Sequence, residues 1–249
     1  MEETLRSLVV VGFACLLILL RLDAYRFGAA EYDDQNLPGD WRTGILRLAW
    51  YAVGLAFTIA IVFLRPPSLT SLELGVGRDR LGAILLGLVA GGLGTGVAAW
   101  FAWYRYRRLR LPDQRYYPGA IANSVGTAII DEVAFRGAVM GLLIAVGIPS
   151  DVALLGQALL YGLATRLGAP GRSRSMLLIS LGLGLVAGLL TLATGGIGAA
   201  IVGHAITRFA IFVCTGHAGQ VRPPGEEPEE AAAERLPPEG WQVVPEGKR

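Results

Sequence analysis

Apolar residues fall in long blocks along this chain, and turn-forming residues cut the blocks apart. The blocks cover residues 8–22, 45–64, 81–104, a stretch within 118–148, a shorter one at 152–165, then 176–193 and 197–217. Between them stand Pro38-Gly39, Pro66-Pro67, Pro112, Pro118-Gly119, Pro149, Pro170-Gly171 and Gly195-Gly196, residues that end helices or open turns. A helix crosses a bilayer with roughly 20 mainly apolar residues. The pattern predicts an all-α fold, a polytopic membrane bundle of about seven transmembrane helices. The first block lacks a basic leader and a clear small-residue cleavage site, so it is expected to be a retained anchor rather than a signal peptide. Beyond Gly219 the chain is rich in Pro and Glu, with no apolar period before Trp241, and a disordered tail is expected over 219–249. The expected organisation is three membrane helices in 1–112, a four-helix core in 113–218, and the tail.

Composition agrees with a membrane location. The set AVILMFWYC makes up 53% of the chain, only 17% is charged, and the mean hydropathy is +0.50. Soluble domains carry roughly 25% charged residues, so the apolar excess must face lipid. A formal charge of +2 gives no footing for nucleic-acid binding. Cys15 and Cys214 both lie in apolar runs, which excludes a disulfide scaffold and a cysteine-based zinc site. They read as small packing or lipid-facing residues.

Basic residues set the expected orientation. Of 22, fifteen fall on the face shared by the tail and the odd-numbered loops, including Arg21, Arg26, Arg42 and the cluster from Arg105 to Arg115. Four (Arg6, Arg65, Arg78 and Arg80) fall on the other face, and Arg47, Arg136 and Arg208 lie inside spans. The positive-inside bias predicts a cytoplasmic tail and an N-terminus outside, in the plasma membrane. Trp100, Trp103, Tyr104 and Tyr106 beside the arginine cluster read as an interfacial belt. Arg47 is expected to snorkel to the interface, and His217 to sit there too. Gly87 and Gly91, and Gly184 and Gly188, have the four-residue spacing that lets helices approach closely. The run Gly91-Gly92-Leu93-Gly94-Thr95-Gly96 follows no strand and lacks Gly-Lys-Ser/Thr, so it is not a nucleotide loop.

Charges inside spans need a reason, because hydrocarbon penalises them. The fourth block carries Asp131, Glu132, Phe135 and Arg136, the fifth Tyr161 and Thr165, and the seventh His204 and Arg208. Glu132 and Arg136, Tyr161 and Thr165, and His204 and Arg208 are each four apart and share a helix face. Three polar faces converging in a bundle would form a common pocket, expected to open toward the cytoplasm. Two readings stay open. In one, Asp131 and Glu132 neutralise Arg136 and Arg208, and the cluster only fixes helix order. In the other, a carboxylate acts as general base on water while histidine and a hydrogen-bond donor stabilise an oxyanion.

These residues resemble the CPBP (CAAX protease and bacteriocin-processing, or Abi) family of intramembrane proteases, which includes the Ras-converting CAAX prenyl proteases. Its motifs run Glu-Glu-x-x-x-Arg, aromatic-x-x-x-His and His-x-x-x-Asn or Asp. Here they are matched by Asp131-Glu132-x-x-x-Arg136 with Gly137 following, Tyr161-x-x-x-Thr165, and His204-x-x-x-Arg208, over about residues 118–212. Gly184, Gly188 and Gly195 precede the last motif in the family's manner. The resemblance implies a CAAX-protease-like core and a carboxylate that activates water with help from the other motif residues. It names Asp131, Glu132, Arg136, His204, Thr165 and Arg208 as catalytic candidates and Tyr161 and Phe135 as pocket residues. The departures are aspartate at 131, threonine where the family has histidine, and arginine where it has asparagine or aspartate. The family is often labelled metalloprotease. A dication held by Asp131, Glu132 and His204 is conceivable, but Arg208 one turn from His204 would repel it, and no cofactor is expected. The expected partners are the lipid bilayer and a peptide or lipidated-peptide substrate. The implied function is an intramembrane CAAX-type endopeptidase. The alternative is a catalytically inactive relative that binds membrane segments as a scaffold. A proton-linked transporter is the weakest reading, since no inverted repeat is visible.

Overall fold

The computed structural model describes residues 2–27, 29, 41–64, 74–107, 109, 111–112, 114, 117–168 and 174–215. The expected tail over 219–249, His217, and Arg65, Arg108, Arg110, Arg115 and Arg172 among the loop arginines lie outside the described residues. The elements are helical throughout the described chain: α1 (Glu2–Leu22), α2 (Trp41–Leu64), α3 (Arg80–Tyr106), α4 (Tyr117–Asp131) running on through a π-helix (Glu132–Met140) into α5 (Gly141–Ala145), then α6 (Ser150–Leu167), α7 (Arg174–Thr194) and α8 (Gly198–Thr215). Taking α4, the π-helix and α5 as one rod gives seven rods, one for each apolar block.

Five rods are long and apolar enough to span a membrane: those of residues 2–22, 44–64, 80–104, 177–194 and 198–215. This is an integral membrane protein with an all-α fold. The fourth and fifth rods fall below that measure although the sequence pattern predicts them as spans. The fourth is broken by the π-helix and carries Asp131, Glu132 and Arg136. The fifth, α6, starts on Ser150-Asp151 and spends Gln157, Tyr161 and Thr165 on its inner face. Polarity that the interior needs lowers the apolar signal of these two rods, whereas α8 carries His204 and Arg208 and still passes.

Close packing rests on small residues. A side chain at Gly87 would meet the Ala199 carbonyl oxygen at 2.7 Å, one at Gly91 would meet Ile206, and one at Gly94 would meet Thr207. The glycines therefore let α3 lie along α8. Gly184 lies against Ala158, and Gly188 against Leu154 and Gln157, so α7 lies along α6 in the same way. Asp79 caps α3 by accepting from the Leu81 amide (3.1 Å), and Arg107 ends it in the left-handed region (φ 56°). At the other end of the bundle the segment before α3 is stitched to the α7–α8 turn. There the Ile197 amide donates to the Gly75 carbonyl and the Arg78 amide to the Thr194 carbonyl, both 2.9 Å.

Helices α1 and α2 close the remaining side. The Trp50 indole donates to the Leu20 carbonyl (2.8 Å), the Tyr51 and Thr127 hydroxyls are 3.1 Å apart, and Gly54 lies against Ile130. Exposed leucine, valine and phenylalanine cover the outside, Phe63 at 80% and Leu93 at 70% among them, while arginine, aspartate, glutamate and histidine are found inside. That inversion is what a lipid solvent imposes.

Candidate active site

The interior polar cluster is built around the π-helix. A π turn is rare and tends to mark functional sites. Eight of its nine residues are buried, including Glu132, Phe135 and Arg136, so nearly the whole circumference of this segment faces protein. Gly137 makes room for Leu74, which packs where a side chain would stand. Leu74 and the stitched loop after it thereby cover the end of the site nearest the α7–α8 turn.

Glu132 and His204 form the central contact. His204 Nδ1 lies 2.7 Å from Glu132 Oε1, and both side chains are fully buried. A carboxylate only accepts, so in this contact Nδ1 carries the proton and Nε2 lies on the far side of the ring. Tyr161 meets that atom, its hydroxyl 3.4 Å from Nε2. Arg136 pairs with the same Glu132 oxygen at 3.2 Å and sets its guanidinium carbon 4.4 Å from the centre of the Tyr161 ring, a cation–π contact. Phe135 packs edge-on against Tyr161 with ring centres 5.2 Å apart. Five predicted residues on three helices thus form one continuous unit.

Asp131 stands beside it, 1% exposed, facing Arg21 at 3.7 Å. Neither Asp131 oxygen has a hydrogen-bond partner among the described residues, nor does Glu132 Oε2 or the buried Thr165 hydroxyl. Buried polar atoms without partners are uncommon in folded proteins, and here they cluster on motif residues. Arg208 lies on the same inner face, donating to Asn123 Oδ1 at 3.0 Å.

Three corrections to the sequence reading follow. Arg21 is not a loop residue of the basic face. It is 4% exposed and belongs to the site, because the last turn of α1 packs inward against the π-helix and the end of α6. The balance of two carboxylates against Arg136 and Arg208 is also incomplete: Arg21 partners Asp131, and Asn123 accepts from Arg208. The pocket, finally, is closed rather than open, with Asp131, Glu132, Tyr161, Thr165, His204 and Arg208 all at or below 4% exposure. An open groove of about 560 Å³ exists elsewhere, between α3, α7 and α8, with an apolar lining that includes Leu93, Val97, Leu183 and Val186.

Sequence reasoning also missed Asn123 and Gln157. Gln157 is fully buried and donates to the Gly184 carbonyl at 2.9 Å. Both were detectable from spacing: Asn123, Thr127 and Asp131, and Gln157, Tyr161 and Thr165, recur at four-residue intervals. Arg21 carries no such signal. Cys214 packs among Ala98, Ala102 and Ala210, and Cys15 faces outward.

Glu132 Oε1 and both nitrogens of His204 are taken up by each other, Arg136 and Tyr161, and a guanidinium stands over the group. Among the described residues no three His, Cys, Asp or Glu side chains are placed to hold an ion.

Residues 113–210 match the family described as type II CAAX prenyl endopeptidase Rce1-like. No curated protein and no solved structure matches the chain.

Proposed function

Because residues 113–210 belong to the Rce1-like family of CAAX prenyl endopeptidases, we propose that this protein is an active intramembrane endopeptidase acting on the C-terminal region of membrane-associated, lipidated peptides. One observation carries the proposal: a fully buried Glu132–His204 hydrogen bond beside an aspartate whose two oxygens have no hydrogen-bond partner among the described residues. A structural ion-pair cluster gains from satisfying its carboxylates, whereas a water-activating one keeps acceptors for the water.

The chemistry follows from the contacts. Asp131 accepts a proton from water as its oxygen attacks the scissile carbonyl, and the Thr165 hydroxyl helps to orient that water. Glu132 fixes the His204 tautomer. The Tyr161 hydroxyl turns from Nε2 toward the developing oxyanion, as a neutral donor in a dry pocket. The proton then passes to the departing amine nitrogen, and the products are a carboxylate and a free amine. Asp131 takes the place of the family's first glutamate, and Tyr161 compensates for threonine at 165. The buried site requires a helix to move aside for the substrate, a step common among enzymes that exclude water. We further propose the plasma membrane as the location, with the tail in the cytoplasm.

The test uses the purified full chain in nanodiscs with fluorogenic prenylated peptides. Cleavage by the wild type, lost in Asp131→Asn and His204→Ala, is expected. Binding of the same peptides without cleavage, unaffected by both substitutions, would identify an inactive scaffold instead.

A further inference from the structure

Threonines inside these helices have a default partner. Thr58, Thr95, Thr191, Thr194, Thr207 and Thr215 each donate to the carbonyl four residues back, at 2.7–2.9 Å, which satisfies a hydroxyl without water. Thr127 and Thr165 depart from that pattern. The Thr165 hydroxyl has no partner among the described residues. Thr127 is fully buried in α4, and its hydroxyl lies 3.1 Å from the Tyr51 hydroxyl of α2. The fold makes room for this pair. A side chain at Gly126 would meet the Tyr51 ring at 3.2 Å, and Trp50 packs edge-on against the same ring.

The pair belongs to a polar row. Tyr51 faces Thr127 and Gly54 lies against Ile130, the same separation of 76 residues, so α2 and α4 run parallel. On α4, Asn123 stands one turn before Thr127 and Asp131 one turn after it, all on one face. Exposure falls along the row: Tyr51 and Asn123 are half-buried, while Thr127 and Asp131 are exposed by 1% or less. At the inner end are the two Asp131 oxygens, which have no hydrogen-bond partner among the described residues.

Hydrolysis consumes one water per turnover, and this site is closed beneath an apolar exterior. A hydroxyl both donates and accepts, so a water can replace either partner of the Tyr51–Thr127 bond and move on without stranding a polar group. We propose that Tyr51 and Thr127 bind water at the seam of α2 and α4 and supply it to Asp131, one helical turn (about 6 Å) further in. They are positioning residues: they hold the water before it reacts, and no bond is made or broken there. A plain interhelical hydrogen bond of the kind that joins membrane helices would stay dry, which separates the two roles.

The inference rests on the endopeptidase reading, and its test tells the two apart. The full chain, carrying isotope-labelled threonine, is placed in lipid bilayers, and solid-state NMR follows magnetisation transfer from water to each threonine Cβ. The Thr127 signal, assigned by its loss in Thr127→Val, should build up several-fold faster than those of the buried, back-bonded Thr58 and Thr191. In Tyr51→Phe it should fall toward theirs. With hydrolysable prenylated peptides, Thr127→Val and Tyr51→Phe should each lower kcat about tenfold with KM little changed, the scale of one lost hydrogen bond. Thr127→Ser, which keeps the hydroxyl, should recover most of that loss. Should Thr127→Val fail to fold, Thr127→Ser assigns the signal and Tyr51→Phe tests turnover. Equal build-up at Thr127 and Thr58 would overturn the proposal, as would wild-type kcat in both Thr127→Val and Tyr51→Phe. A hydrated Thr127 in a chain that cleaves no peptide would sink the endopeptidase reading and leave the water site standing.

Discussion

A histidine held between a glutamate and a tyrosine has little freedom of tautomer or ring angle. Glu132 takes the Nδ1 proton and Tyr161 addresses Nε2, so each variant tests one side of the ring. Tyr161→Phe keeps the packing against Phe135 and Arg136 and removes only the hydroxyl. If that hydroxyl is the oxyanion donor, kcat should fall about 10²-fold with KM little changed, measured on prenylated fluorogenic peptides. An unchanged kcat would leave Tyr161 a packing residue. Glu132→Gln is a gentler probe than Glu132→Ala, which would strand Arg136 as an unpaired buried charge at about 3–5 kcal/mol. The amide still accepts from Nδ1 but no longer brings the charge that holds His204 and Arg136 in place, so kcat should drop by about 10²-fold or more while the protein stays folded. Turnover near the wild-type level would remove Glu132 from the chemistry. The motif residues were legible as a cluster because charge is so costly in hydrocarbon that few such residues occur there at all. Arg21 was not legible. At the end of an apolar block, an arginine that snorkels outward and one that turns inward look the same in sequence.

Among the elements, the rods were readable nearly to their ends, since long apolar blocks bounded by proline and glycine leave little latitude. The π-helix was not, because its i→i+5 bonding leaves no mark on hydrophobic periodicity. The glycine pairs make a sharper test of packing than the helices themselves. At Gly87 an added methyl meets a backbone oxygen of α8 that cannot swing away, whereas at Gly92 it meets nothing within 4 Å. Gly87→Ala should therefore destabilise by about 1–3 kcal/mol. Gly92→Ala should be neutral or stabilising by about 0.5–1 kcal/mol, since alanine loses less backbone entropy in a helix. Thermal unfolding in the same detergent compares them, and equal shifts would mean that α3 and α8 are not in close contact.

For the molecule as a whole, the region matching the CAAX endopeptidase family is not a free-standing unit. Helices α1 and α2 lie outside it, yet they supply Arg21 to Asp131 and the Trp50, Tyr51 and Gly54 contacts that brace the fourth rod. Burying Arg21 also changes the charge count that sets orientation. Fourteen basic residues remain on the tail side against four on the other, so the bias is unaltered and far from marginal. The consequence can be measured. Single cysteines are placed at Val76, in the loop before α3, and in the tail at Gln242, in a background with Cys15 and Cys214 replaced by serine and alanine. Sealed right-side-out vesicles are then treated with a membrane-impermeant maleimide. The cysteine at 76 should react, and the one at 242 should react only after the vesicles are opened. The reverse pattern would place the arginine-rich face outside. The substrate's C-terminus would then have to enter from the side opposite the one on which lipidated cytoplasmic peptides reside, and the endopeptidase reading could not stand in its present form.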